Sequence, residues 1–223
     1  MIALPEVIYL HGLGSSPASP KARLISERLV SQGYRVTTPD LSIPSLERLS
    51  AVSAIDLVKD SIERTAEGRR VFMIGSSFGG FVGLHAFAGL SELARTRVCG
   101  MVLLAPALYP WHPASGLITP SVEQQWRRNG VFPIESSVRG VAVDVHVQFM
   151  EELRGYNSDE VLLEVPTIII HGRSDQIVPI SQSEHFCARR LGVTLVTLEE
   201  GHDLMAEPMV LMEHIQGFLG TCS

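Results

Sequence analysis

Cysteine is scarce in this chain, three in 223 residues. Cys99, Cys187 and Cys222 are odd in number, widely spaced and include no CxxC pair, which argues against a disulfide framework and fits a reducing cytoplasm. Long apolar runs are missing too. The most apolar stretches are strand-length and broken by Gly, Pro or charge, so no segment suits a membrane span. The opening Met-Ile-Ala-Leu-Pro-Glu lacks a basic region followed by an apolar run, and no secretory signal is expected. No block of Lys and Arg occurs, and the net charge is -6. A polyanion partner such as nucleic acid is therefore not expected, because that affinity comes from neutralised phosphates. His112, His146, His185 and His214 are scattered without metal-ligand spacing such as HExxH, so no metal site is expected.

What is present is an ordinary globular balance, 45% hydrophobic and 19% charged. The length suits one medium α/β domain over residues 1–223. Short β-branched runs alternate with segments of helical period, the pattern of a mostly parallel sheet of about six strands flanked by helices. The strands are read at Val7 to Leu10, Tyr34 to Thr37, Val71 to Ile74, Val98 to Leu104, Thr167 to Ile170 and Thr194 to Leu198. Ser19 and Pro20 suit the N-cap and first position of a helix with Ala22, Ile25 and Leu29 on one face. Ala51, Ile55, Val58 and Ile62 mark a second helix, and Leu211, Ile215 and Phe218 a last one.

Residues 106–164 break this rhythm. They carry Trp111, Trp126, Phe132, Phe149, Met150 and several prolines without a clear strand. So long a structureless loop inside a compact domain is not expected, and a small helical cap inserted between two strands is. Its aromatic residues suit either an acyl pocket, with Trp111, Trp126 and Phe149 against substrate, or the cap's own small core.

Gly75-Ser76-Ser77-Phe78-Gly79 fits G-x-S-x-G where a strand hands over to a helix. A serine that attacks a carbonyl must protrude from the sheet, and a tight strand-to-helix turn achieves this. Positions two residues either side of it pass close together, which explains the glycines. Ser76 fails the same test, because its flanking positions are Ile74 and Phe78. Ser77 is thus the candidate nucleophile, and the Phe78 N–H at the helix start is placed to meet a developing oxyanion.

A serine hydroxyl needs a base, and the base needs an orienting carboxylate. Asp175 follows the buried run Thr167 to Ile170, and His202 follows the last strand in Glu199-Glu200-Gly201-His202-Asp203. The chain order Ser, Asp, His at three strand ends is that of the α/β-hydrolase fold. Asp203 reads as a helix N-cap, His171 as structural and His85 as packed in the helix after Ser77.

The first strand ends in His11-Gly12-Leu13-Gly14-Ser15-Ser16. In a hydrolase this loop supplies the second oxyanion donor, the Leu13 N–H, with His11 and Gly12 next to substrate. Gly12-x-Gly14 after a strand, with Asp40 after the next, also admits a dinucleotide reading. Pro17 stands where the third glycine belongs, and the helix starts too late to meet a phosphate.

With these residues placed, the chain resembles the α/β-hydrolase superfamily over nearly its whole length. His11-Gly12, Ser15-Ser16-Pro17 and Lys21-Ala22, together with Gly75 to Gly80, look like small bacterial esterases of the YqiA type. Val141 to Leu153 and Pro166 to Pro179 are similar to mitochondrial acyl-protein thioesterases. The resemblance implies Ser77, Asp175 and His202 as triad, Leu13 and Phe78 as oxyanion donors, no cofactor, and a sheet lacking the first two strands of a full-length member. The expected activity is cleavage of a small-molecule ester with a small to medium acyl group. The alternatives are an acyl thioesterase with the same triad, or a hydrolase-fold binding protein with little turnover. A monomer or homodimer is expected.

Overall fold

The computed structural model describes residues 5–65, 68–111 and 117–221; His112 and Cys222 fall outside the described residues. Six strands form one parallel sheet: β1 (Glu6–Leu10), β2 (Arg35–Thr37), β3 (Val71–Ser76), β4 (Val98–Leu104), and, after an insertion, β7 (Thr167–Gly172) and β8 (Val193–Leu198). Their order is β2-β1-β3-β4-β7-β8. The chain runs outward from β1 to β2, then returns past β1 to β3 and builds the other way. The connections after β1 and β3 therefore leave in opposite directions, which opens a crevice at the carboxyl ends of those strands.

Both faces of the sheet are buried, so its strands read as continuous apolar runs. Alternation along them divides the core in two. Val7, Tyr9, Phe72, Ile74, Val102 and Leu104 pack against α1 (Pro20–Ser31) and α8 (Pro208–Thr221). Ile8, Leu10, Val71, Met73, Met101 and Leu103 pack against α2 (Ala51–Glu63) and α3 (Phe78–Ala88). The helix α1 begins as its sequence signals: the Ser19 side chain accepts from the Ala22 N–H, and Pro20 occupies the first turn. Short helices α4 (Glu92–Arg95) and α7 (Ser181–Cys187) complete the layers.

Between β4 and β7 the chain forms an inserted sub-domain that caps the sheet's carboxyl edge. It comprises α5 (Pro120–Asn129), β5 (Val131–Ser136), β6 (Val141–His146) and α6 (Val147–Leu153). The expected cap is thus present, but it is not purely helical: β5 and β6 pair as an antiparallel hairpin. Val141, Val143 and Val145 do alternate with Ala142 and Asp144, the period of a half-buried strand. Pro133 in β5 masks the partner strand, because proline reads as a strand breaker although an edge strand tolerates it.

The hairpin is docked on the sheet domain through backbone. The Ser137 N–H donates to the Gly14 carbonyl at 2.9 Å and the His146 N–H to the Glu47 carbonyl at 2.9 Å. Glu152 of α6 accepts from the Ser50 hydroxyl at 2.9 Å. Gly14 has φ +67°, and a Cβ there would lie 2.1 Å from the Glu135 carbonyl oxygen. A side chain at this position would both strain the backbone and push the hairpin off. Gly14→Ala is expected to destabilise the fold by on the order of 2 kcal/mol and to speed proteolysis of the 137–140 turn; denaturant unfolding and limited proteolysis measure the two effects.

Candidate active site

The turn after β3 is as tight as its glycines imply. Ser77 sits at φ 52°, ψ -118°, backbone that L-residues rarely adopt. A Cβ on Gly75 would meet the Gly79 carbonyl oxygen at 2.5 Å, and one on Gly79 would meet that of Leu10 at 2.1 Å. Glycine at both positions is therefore required for α3 to leave the sheet so sharply. The other non-glycine residues with positive φ among those described are Ala105, after β4, and Leu204, just past His202. Strained backbone thus gathers along one edge, where the loops after β1, β3, β7 and β8 also meet.

Asp175 lies in the turn after β7, its side chain fully buried. One oxygen, Oδ1, accepts from the Ile177 and Val178 N–H groups, each at 2.8 Å. The other, Oδ2, accepts from His202 Nδ1 at 2.7 Å and lies 3.1 Å from His171 Nε2. Burial would raise the proton affinity of this carboxyl. The hydrogen bonds from His171, His202 and the Val178 N–H together outweigh it and hold Asp175 well below the usual carboxylate range. The loop bearing His202 reaches Asp175 because Gly172 has no side chain: a Cβ there would lie 2.2 Å from the Glu200 carbonyl oxygen.

His171 is structural, as its place at the end of a buried strand implies. Its Nε2 faces two acceptors, Asp175 Oδ2 and the Val178 carbonyl at 2.9 Å, so that nitrogen carries hydrogen. Its Nδ1 lies 2.7 Å from the Ser183 hydroxyl. Ser183, His171 and Asp175 therefore form a second chain with triad-like connectivity. Both His171 and Ser183 have no solvent exposure, so no substrate reaches this serine.

Donating Nδ1–H to Asp175 leaves His202 Nε2 as an acceptor. His202 and Ser77 line the same cavity of about 390 Å³, together with Leu13, Phe78, Trp126 and Phe149. Among the described residues neither the Leu13 nor the Phe78 N–H meets a hydrogen-bond acceptor. Two free donors thus border the cavity that holds Ser77. The walls are mostly apolar, with Phe81, Ile118, Val122, Phe132, Leu153, Ile177 and Val178 beside those already named, and Glu135 at the rim. Trp126 stacks on Phe132 with ring centres 5.2 Å apart and donates its indole N–H to the Val145 carbonyl. The aromatics of the insertion are legible in sequence; Phe81 of α3 and Ile177 and Val178 of the 175–178 turn are not, since an isolated apolar side chain carries no signal of its own.

Three residues expected beside substrate have other partners in the fold. His11 is buried and spent on structure: its Nε2 accepts from the Leu41 N–H at 2.9 Å, and its Nδ1 lies 2.9 Å from the Gly12 carbonyl. Gly12 is not part of the cavity wall; it packs against the nucleophile turn, where a Cβ would lie 3.3 Å from Ser77 Cβ. Trp111 is also absent from the wall and is covered by the Arg154 guanidinium, 4.0 Å from its ring centre. Asp203 does not cap α8, which starts at Pro208. The turn leading into α8 is held instead by Glu200, which accepts from the Ala206 and Glu207 N–H groups at 2.9 and 2.8 Å. His85 is packed, within 4.4 Å of Phe81 between ring centres, and burial lowers it to about 4.

A family model described as an uncharacterised protein family (UPF0227) matches residues 6–218. The chain belongs to this family. No curated protein matches it in sequence. Solved structures do match in fold. Alpha/beta hydrolase domain-containing protein 10 from mouse is 21% identical with a TM-score of 0.79, over 98% of this chain and 91% of that one. Est1E from Butyrivibrio proteoclasticus, with ferulic acid bound, is 16% identical with a TM-score of 0.78, over 100% and 90%. The monoacylglycerol lipase of Paleococcus ferrophilus is 17% identical with a TM-score of 0.76, over 100% and 97%. The UPF0227 chain thus has the α/β-hydrolase fold. Among the described residues, no group of three or more His, Cys, Asp or Glu could hold a metal ion, and no helix is long and apolar enough to cross a membrane.

The depressed Asp175 has a consequence for acid stability. Its folded proton affinity lies below that of the unfolded chain, so its contribution is complete above about pH 5 and is lost as pH falls below the unfolded carboxylate value near 4. Asp175→Asn is expected to be less stable at pH 7 and to show a shallower loss of stability between about pH 5 and 2 than the unaltered protein. Denaturant titrations across that range report the slope.

Proposed function

We propose that this protein is a serine hydrolase of neutral carboxylic esters, with Ser77 as nucleophile, His202 as general base and Asp175 as the carboxylate that orients the base. The observation that carries the reading is the convergence of Ser77, the Asp175-bound His202 and two unpaired backbone N–H groups on one apolar cavity. His202 takes the Ser77 proton as the hydroxyl attacks the acyl carbonyl, and Asp175 steadies the imidazolium that forms. The Leu13 and Phe78 N–H groups hold the oxyanion; losing one such donor typically costs on the order of 3 kcal/mol of barrier. The imidazolium returns its proton to the departing alkoxide, and water then enters by the same route to release the acid.

The buried Ser183 chain supports this reading in a different way, by fixing Asp175 through His171. The resemblance to YqiA-type esterases and acyl-protein thioesterases agrees with acyl transfer at Ser77. The cavity favours the ester over a coenzyme A thioester, since among the described residues no Lys or Arg lines it to meet phosphate. Its volume of about 390 Å³ holds roughly a dozen non-hydrogen atoms at about 30 Å³ each, a small to medium acyl group.

A fluorophosphonate probe is expected to label Ser77 and not Ser183. Ser77→Ala should abolish both labelling and turnover of nitrophenyl esters, by at least about 10⁴-fold, whereas Ser183→Ala keeps the labelling and loses far less turnover, through a looser Asp175. Activity surviving in Ser77→Ala would sink the assignment. Shortening a wall residue tests the pocket: Trp126→Leu should raise kcat/KM for a decanoyl ester relative to a butyryl ester, measured on a chain-length series.

A further inference from the structure

Ser76 precedes the proposed nucleophile, yet its side chain belongs to the opposite face of the sheet. Alternation along β3 sets Phe72, Ile74 and Ser76 toward α1 and α8, where Tyr9 of β1 also points. There Ser76 Oγ accepts a hydrogen bond of 3.2 Å from Lys21 Nζ. Its own hydrogen is then available to the Tyr9 phenol, with which it is hydrogen-bonded, and burial pushes that phenol up. Lys21 does not touch the cavity.

Helix dipole and burial both oppose a cation at this position. Lys21 is the second residue of α1, where the helix macrodipole disfavours positive charge. It is also largely enclosed, and burial lowers it to about 8 despite the carboxylates that pull the other way. Those carboxylates identify what the ammonium serves. They are Asp203 and Glu200, which flank His202 in the loop after β8, and Asp175 in the turn after β7. Glu200 is tied to the turn before α8 and Asp175 to both histidines, so two of the three charges are themselves fixed.

We infer that Lys21 is a positioning residue for the hydrolase site: from behind the sheet it braces the Ser77 turn through Ser76 and balances the carboxylates around His202. The inference rests on the Ser77 reading above. A positive charge behind the acid and base loops opposes protonation of the base, and the bond to Ser76 limits movement of the turn that aims Ser77. Both act on the chemical step and neither on substrate binding.

The test compares Lys21→Met, which loses bond and charge, with Lys21→Gln, which keeps an N–H donor without charge. For Lys21→Met we expect kcat on a nitrophenyl ester to fall about tenfold, with KM within about twofold. The acid limb of its kcat/KM profile should move to higher pH. The unaltered protein should show an inflection near pH 8, where Lys21 loses its proton, that both variants lack. Lys21→Gln should recover part of kcat but keep the shifted profile. Fluorophosphonate labelling of Ser77 follows kcat, and circular dichroism gives the folded fraction. An unchanged kcat and pH profile, or a loss that merely tracks the folded fraction, overturns the inference. Should Lys21→Met not fold, the pH profile of Lys21→Gln decides alone. Ser77→Ala run alongside separates the two claims: turnover there defeats the Ser77 reading, while an inactive Ser77→Ala beside a normal Lys21→Met defeats only the role of Lys21.

Discussion

Four hydrogen-bonding groups meet on the carboxylate of Asp175, and the arrangement of the candidate site follows from that. A carboxylate with no exposed side-chain surface is costly to bury unless its lone pairs are filled. Here the Ile177 and Val178 N–H groups fill one oxygen, and His171 and His202 fill the other. Filling them fixes the 175–178 turn, the end of β7 and the loop after β8 relative to one another. The Asp175 carboxylate is therefore both an orienting group for His202 and a cross-link between two strand ends. The proposed catalytic role and the folding role come from the same four bonds.

On the other side of the crevice, backbone contact takes the part that charge plays around Asp175. Gly75 and Gly79 let β3, α3 and the end of β1 approach to distances no side chain allows. That approach forces Ser77 into a strained conformation, and it holds the Leu13 loop against the same turn. Lys21 lies beneath, hydrogen-bonded to Ser76 on one side and within electrostatic reach of Asp175, Glu200 and Asp203 on the other. The site is thus built from two rigid halves with few adjustable parts between them.

Much of this is legible from residues alone, for a physical reason. A parallel sheet buried on both faces needs continuous apolar strands, and a strained turn needs glycine at set spacings. Both constraints write directly into sequence, so the six strands and the G-x-S-x-G turn can be read there. Interactions that any polar residue could supply are less visible. His11 in a glycine loop reads as a substrate contact, whereas its ring is spent on Leu41 and Gly12. Asp203 looks like a cap, but α8 starts at Pro208, and Glu200 holds the turn before it through the Ala206 and Glu207 N–H groups. Ser183 gives no sign of its bond to His171, because the two lie on different elements. The hairpin is half legible, with the valines of β6 alternating plainly while Pro133 conceals β5.

The position of the cap has a further meaning for what the site discriminates. The inserted sub-domain is fixed through its hairpin to the loop carrying Leu13, and its aromatic side chains Trp126, Phe132 and Phe149 wall the cavity. The Ile177 and His202 side of that cavity stays open, with Ile177 58% exposed. A bound ester with its acid portion under the inserted sub-domain would leave its alcohol portion in water. Such an enzyme would be strict about the acid it accepts and indifferent to the alcohol it releases.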